Sequence, residues 1–509
     1  MGGTITTRPV SLALALVALP ALPPTAAEVA QVLALRPVAP ADPLAVCQDG
    51  VTKPHYYSVA PRTPEAADHW QVILFGPQNG WPTCFPPPDS GATAWDNSAG
   101  AKYGISNCYW GDMTKPAPPP PPPPPNTTVL CTGACLYSGN CTLNPTLCNY
   151  GKVMITPCNG DAWFGDTVRT FGSAPISLHF RGQRVLWATL TQVATDIGLS
   201  SSSTVLMMGQ EASGNALYTY ADRIGAFFAE PQHGGVPPAN YRVVVVEGFW
   251  PRWSGYYSGD TLAQVIAGQG APIAPGSHNS ATNAPHAGGN AYDYMNFSHA
   301  VNPACVAGEG LASNASNTWQ CLLAENALKY IDSKIFALER AWGTFGSFCL
   351  VNGVIANDPV WHGWYLGCDP RCAGVGCRGA DHLHICVEYG WKCSSQYMDM
   401  FVKPYQQNIL AKFQATKFLA KPGNGAFMHS CHTGDEDNLG DGSGFFQSIQ
   451  VGGRSAQEAL LQWVMGKPMD KSRFDPPCLW NQSAHAPFQN SCNPTCVRCQ
   501  SINIPAVLQ

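Results

Sequence analysis

The sequence predicts an α/β fold, a doubly wound sheet in a single domain with loop insertions, and three observations carry that expectation. Four continuous apolar runs, 71–75, 152–156, 204–208 and 242–246, are short, rich in β-branched residues and apolar at successive positions. Runs of this kind suit strands buried on both faces of a parallel sheet. Helical patterns follow them, at Gln183 to Ile197 and at Ala212 to Phe228. Strands alternating with helices mean crossover connections and a parallel sheet. Finally, 45% of the 509 residues are apolar, enough to bury a large core.

Taken in order, the chain opens with Arg8, an apolar stretch from Val10 to Leu22 and small residues at Thr25-Ala26-Ala27. That is the layout of a secretory signal over 1–27. A membrane anchor competes, but Pro20 and Pro23 interrupt a short run; Met1-Gly2 with Thr6 also fits a myristoylation pattern. Residues 28–45 are rich in Ala, Pro and Val and read as a linker before a domain over 46–497, and 498–509 read as a tail. Further helices are expected at Gln320 to Ala337, Tyr397 to Phe413 and Ser455 to Met465.

Two stretches interrupt the plan. Residues 117–149 hold eight prolines, Pro118 to Pro125, followed by Cys131, Cys135, Cys141 and Cys148. Eight prolines form a stiff polyproline II rod. The segment reads as a surface insertion whose cysteines pair among themselves, or as a site of wall contact or hydroxyproline glycosylation. Residues 258–290 are Gly/Ala/Ser/Asn-rich and read as a flexible loop.

Composition narrows the function. A net charge of −5 argues against a nucleic-acid partner, and no later stretch is long and apolar enough to span a membrane. Only 12% of residues are charged, as in loop-rich extracellular proteins. Twenty-one cysteines fit an oxidising compartment, with at least one left over from pairing. Sequons at Asn126, Asn140, Asn296, Asn314 and Asn481 agree. Asp381-His382-Leu383-His384 with His362 lacks the spacing of a zinc-protease helix, and Cys368, Cys372, Cys377 and Cys386 read as disulfides in this setting, so no metal is expected. The aromatic cluster from Phe249 to Tyr257 suits either sugar stacking or packing.

The sharpest motif is Met208-Gly209-Gln210-Glu211-Ala212-Ser213-Gly214, set between a buried strand and a helix. An α/β-hydrolase keeps its nucleophile elbow, G-x-S-x-G, at such a junction. With Phe180-Arg181-Gly182 before it and Ala221-Asp222-Arg223 after it, the block resembles the pectin acetylesterase and Notum family. Asp222 stands eleven residues past Glu211, where that family has Asp. Other blocks agree in order: Cys47-Gln48-Asp49-Gly50, Cys158-Asn159-Gly160-Asp161-Ala162-Trp163, Leu350-Val351-Asn352 before the catalytic Asp, and Phe427-Met428-His429-Ser430-Cys431 before the catalytic His. The resemblance implies an α/β-hydrolase fold, carboxylic-ester hydrolysis on acetylated wall polysaccharide (pectin), no cofactor, and a cell-wall polysaccharide or other glycan as partner.

The same alignment implies where the chemistry has changed. Glu211 stands at the nucleophile position and Gly434 at the histidine position, with His432 and His429 nearby; Asp358 is the candidate acid. The oxyanion region falls at Gly80 and Trp81, with Ala212 after the nucleophile, and Pro77 in that loop has no N–H to donate. Ser213 offers a hydroxyl two residues past the elbow. These changes predict an impaired esterase that binds a glycan or a partner, the active hydrolase being the alternative.

Overall fold

The computed structural model describes residues 32–75, 127–129, 136–171, 176–249, 296–340, 403–430, 449–466 and 472–474, apart from isolated positions, together with 493 and 495. Along the chain the strands are β1 (Val32–Pro37), β2 (His55–Val59), β3 (His69–Leu74), β4 (Thr127–Val129), β5 (Gly151–Ile155), β6 (Thr167–Phe171), β7 (Ile176–Phe180), β8 (Thr204–Gln210), β9 (Tyr241–Val246), β10 (Ile335–Arg340), β11 (Gly425–His429), β12 (Gln450–Val451), β13 (Arg454–Ser455) and β14 (Ser472–Phe474). The helices are α1 (Gly182–Asp196), α2 (Glu211–Ala229), α3 (Pro303–Gly308), α4 (Ala324–Ala327), α5 (Lys403–Ala415) and α6 (Ala456–Val464).

Ten strands form one sheet in the order β14-β11-β10-β9-β8-β3-β5-β2-β1-β4. From β14 to β5 every pairing is parallel; β2, β1 and β4 then continue antiparallel. The four apolar runs are central strands, because alternate side chains reach opposite faces and both faces are covered. On one face Val72, Val205, Met207, Val243 and Val245 pack with α1 and α2. On the other, Ile73, Leu206, Met208 and Val244 pack with α6 and with Leu136, Tyr137 and Leu147. A capping box starts α6: the Ser455 hydroxyl accepts from Glu458 N–H, and the Glu458 carboxylate accepts from Ser455 N–H.

Three expectations need correction. The stretch 28–45 is not a linker throughout, because Val32–Pro37 is β1, hydrogen-bonded to both β2 and β4; Leu33 is fully buried against Tyr57 and Met154. Alternation of Ala, Leu and Pro concealed a strand that the antiparallel extension supplies with partners. The helix expected over Gln320 to Ala337 breaks into a 3-10 turn (Ala315–Leu322), α4 and a second turn (Leu328–Tyr330), and β10 begins at Ile335. Its apolar face was real, but the last part belongs to the sheet.

The described part of 117–149 is a layer of the core instead of a surface insertion. Leu136, Tyr137 and Leu147 are buried on the sheet, and β4 is its edge strand. The segment is irregular, so its carbonyls need donors, and the sheet provides them. Gln71 Nε2 donates to Leu136 O (3.5 Å), and Lys152 Nζ donates to Leu147 O (3.3 Å) and Tyr150 O (3.2 Å). Cys141–Cys148 closes a local disulfide there; Cys47–Cys158 and Cys305–Cys321 are also formed. The proline run, the loop 258–290, the tail and residues 1–27 lie outside the described residues. Among the described residues no helix is long and apolar enough to cross a membrane.

Candidate active site

The elbow expected at Glu211 is built. β8 ends at Gln210 and α2 begins at Glu211, with no residue between strand and helix. So sharp a change of direction brings the helix back over its own strand. A Cβ on Gly209 would lie 2.6 Å from the Ser213 carbonyl oxygen, which is why only glycine fits before the turn. A second close approach sits behind the helix, where a Cβ on Gly248 would lie 2.4 Å from the Gly214 carbonyl carbon. The chain leaving β9 therefore runs against the first turn of α2, and Asn215 Nδ2 reaches the Gly248 carbonyl at 3.4 Å. Ala212, the candidate oxyanion residue after the elbow, is buried at the second position of that helix.

Ser213 is fully buried and its hydroxyl is committed to the fold. It donates to the Phe75 carbonyl (2.9 Å) and accepts from the Trp163 indole N–H (2.7 Å). One hydroxyl thus ties the elbow helix to the exit of β3 and to the Cys158–Trp163 block. The Trp163 carbonyl accepts from Tyr220 on α2 (3.2 Å), so the clamp has two ends. Sequence reading found Ser213 as a nucleophile candidate but not Trp163 as its partner; the signal was the Asp-x-Trp block itself.

Asp161 in that block is completely buried and accepts from Gly182 N–H (2.7 Å) and Trp163 N–H (3.2 Å). It acts as a remote cap for α1, whose own Arg181 gives no side-chain cap. Burial pushes its carboxyl up to about 7, against the pull of the backbone N–H groups. Asp222 is structural as well: its carboxylate accepts from Asp332 N–H and Ser333 N–H (2.7 Å), fixing the turn before β10.

The strand register lines up a charged rim beside the elbow. Gln210 pairs with Val246, Val246 with Leu338, and Arg340 with His429. Buried Arg340 forms an ion pair with Glu247, which holds a left-handed backbone at φ 54°. His429 is buried beside it, and burial with the Arg340 charge holds its imidazole down to about 3. It is therefore neutral at any physiological pH and a poor proton acceptor. On the helical face Glu339 is buried under Tyr218, whose hydroxyl donates to it at 2.7 Å; Phe249 N–H donates at 3.2 Å. Burial raises that carboxyl to about 8.

Strands β11, β10, β8 and β3, four of five adjacent parallel strands, each precede in sequence a segment assigned a site residue. Gly80 and Trp81 follow β3, Glu211 and Ala212 follow β8, Asp358 follows β10 and His432 follows β11. In open α/β sheets ligands bind outside the carboxyl ends of the strands. Gly80, Trp81, Asp358, His432 and Gly434 themselves lie outside the described residues, as does Leu350-Val351-Asn352. The place between β9 and β11 is filled by Ile335–Arg340. Among the described residues no group of three or more His, Cys, Asp or Glu side chains is placed to hold a metal.

A ten-stranded, mostly parallel sheet whose fifth parallel strand enters a helix at an elbow is an α/β-hydrolase fold. Known structures agree: two crystal forms of Notum, a Wnt deacylase from Drosophila, superpose with TM-scores of 0.54 and 0.53 at 14% identity. They cover 92% of this chain and 100% and 99% of Notum. Residues 127–241, from β4 to the start of β9, match the family described as pectinacetylesterase. That stretch, which contains the elbow, is similar to the pectinacetylesterase family, and the likeness to Notum is one of fold. No curated protein matches it by sequence.

Proposed function

We propose that this is a secreted, carboxylesterase-like protein that has lost most or all hydrolytic power and binds a glycan, cell-wall polysaccharide being the favoured ligand. One observation carries the reading: the elbow is fully built, and a glutamate is its first helical residue. Carboxylates attack carbon in other hydrolases. On an acetyl ester, however, attack would yield a mixed anhydride, and the carboxylate's charge would oppose the developing oxyanion. Ser213 cannot substitute without breaking its bonds to Phe75 and Trp163. Buried His429, its imidazole held down to about 3, is a weak base, and the resemblance puts the family's histidine position at Gly434. Loss of nucleophile and base together costs on the order of 10⁶ in turnover.

The test is acetate release from acetylated pectin and from an aryl acetate. Wild type is expected to show no turnover above a heat-inactivated control. Glu211→Ser alone should restore little, and Glu211→Ser with Gly434→His more, with Asp358→Asn then abolishing the gain. Wild-type turnover that dies with Glu211→Gln would establish carboxylate chemistry and end the pseudoenzyme reading. The active hydrolase is the second reading, favoured by the family match across the elbow. Binding is tested separately, by calorimetry of wild type with acetylated and de-esterified pectin fragments.

A further inference from the structure

Two of the five sequons lie where their side chains can be compared, and their amides are in opposite situations. Asn140-Cys141-Thr142 sits on the short disulfide loop closed by Cys141–Cys148, with Cys141 and Thr142 exposed. The Asn140 Oδ1 accepts from Thr142 N–H at 2.9 Å, an Asx turn, and Asn140 N–H donates to Ser138 Oγ at 3.2 Å. The oxygen is thus used inside the loop, and Nδ2 makes no hydrogen bond to the described residues. In Asn296-Phe297-Ser298 both ends of the amide are engaged. Nδ2 donates to the Asp166 carbonyl (3.1 Å) and Oδ1 accepts from Ser298 Oγ (2.8 Å). Asn296 holds φ 54°, and Phe297 beside it is 1% exposed and packs on Phe164. The neighbouring His299 carbonyl accepts from Gln183 and Arg223.

We propose that Asn140 is an N-glycan acceptor and that Asn296 stays bare, its amide serving as a structural hydrogen bond. The proposal rests on the secretory reading given above, not on the reading of the elbow. In the transfer, Asn140 Nδ2 bonds to the anomeric carbon of a lipid-diphosphate-linked oligosaccharide. The bond from that carbon to the diphosphate oxygen breaks, the lipid diphosphate leaves with the electron pair, and the amide gives up one proton to the transferase. On the loop closed by Cys141–Cys148, Thr142 is exposed and Asn140 is half-buried. A sugar on Asn296 would instead start from an atom facing the Asp166 carbonyl.

The full-length chain is expressed in a eukaryotic secretory host and deglycosylated enzymatically in heavy-oxygen water, which marks each formerly glycosylated asparagine as labelled aspartate. Label at Asn140 and none at Asn296 is the expected result. Asn140→Gln and, independently, Thr142→Ala should each speed gel migration by one glycan without changing secreted yield. Thr142→Ala leaves the Asx turn intact, so it separates loss of the glycan from loss of the loop. Label at Asn296 with Asn140 bare would overturn the proposal. Bare asparagines throughout would also overturn it: oxidised Cys47 and Cys158 would then fault the site assignment, and reduced ones the secretory reading beneath it.

Discussion

The two faces of the sheet bury charge in opposite ways. On the helical face the buried carboxyls, Asp161 and Glu339, accept backbone N–H groups left over by local structure. Asp161 takes those at the start of α1, and Glu339 takes Phe249 N–H at the turn after β9. On the other face the groups are donors directed at carbonyls: buried Gln71 and Lys152 toward the 136–150 layer, and half-buried Arg242 toward Trp463 and Val464 at the end of α6. A helix start leaves N–H groups unpaired, whereas an irregular layer or a helix end leaves carbonyls. The sign of the buried side chain follows from which backbone group lacks a partner. These buried polar groups report on the covering layer, and the Glu247–Arg340 pair at the rim stands outside that rule.

The strongest challenge to this comparison is Asp161→Ala. It strands two buried N–H groups, each costing about 1–3 kcal/mol, so we expect a loss of about 4 kcal/mol in urea unfolding. A change below about 1 kcal/mol would show that the cap at α1 is dispensable. On the opposite face, Lys152 is completely buried, and burial lowers its amine to about 7. Because the folded value lies below the unfolded one, the unfolded chain holds the extra proton between about 7 and 10.5. The stabilisation is full above the unfolded value and is lost as pH falls toward 7. Lys152→Met should therefore lose ground to wild type as pH rises from 7, by at most ~1.4 kcal/mol per pH unit.

Glu339 has the opposite sign. Its folded value, about 8, lies above the unfolded 4.5, so its contribution is full below the lower value and is lost as pH rises through the upper. Glu339→Gln keeps the shape and cannot ionise. It should gain on wild type between pH 4.5 and 8, by a few kcal/mol at most. Parallel pH profiles for wild type and the Gln variant would mean that Glu339 is ionised in the fold and held by Tyr218 and the backbone.

How legible all this was depended on periodicity. The central strands were readable because a run buried on both faces is apolar at every position, and the elbow because glycines flank a strand-to-helix switch. β1 was hidden: a short antiparallel strand of Leu, Ala, Arg and Pro has no run to detect. The 136–150 layer was misread because its cysteines and prolines resemble a surface loop, while its burial depends on donors 65 residues away, at Gln71. The order of strands at the rim needed the fold, since β10 ends in Glu339-Arg340 and reads from sequence as the tail of a helix.

The smallest expected effect is at Ser213, and it bears most directly on function. Its hydroxyl bridges Phe75 and Trp163 inside the core, so Ser213→Ala, which strands the buried Trp163 indole N–H, should cost about 1–3 kcal/mol. Ser213→Gly, which supplies the last glycine of the G-x-S-x-G pattern, should cost somewhat more, since glycine also loosens the helix start. If the hydroxyl is only a clamp, neither variant changes what the elbow does. In a Glu211→Ser, Gly434→His background both should retain the regained esterase turnover within a few-fold at temperatures well below unfolding. A nucleophilic Ser213 predicts the reverse: little loss of stability, and loss of any wild-type acetate release in the Ala variant. Measuring unfolding and turnover on the same preparations separates the two, because a clamp acts through stability and a nucleophile acts through rate.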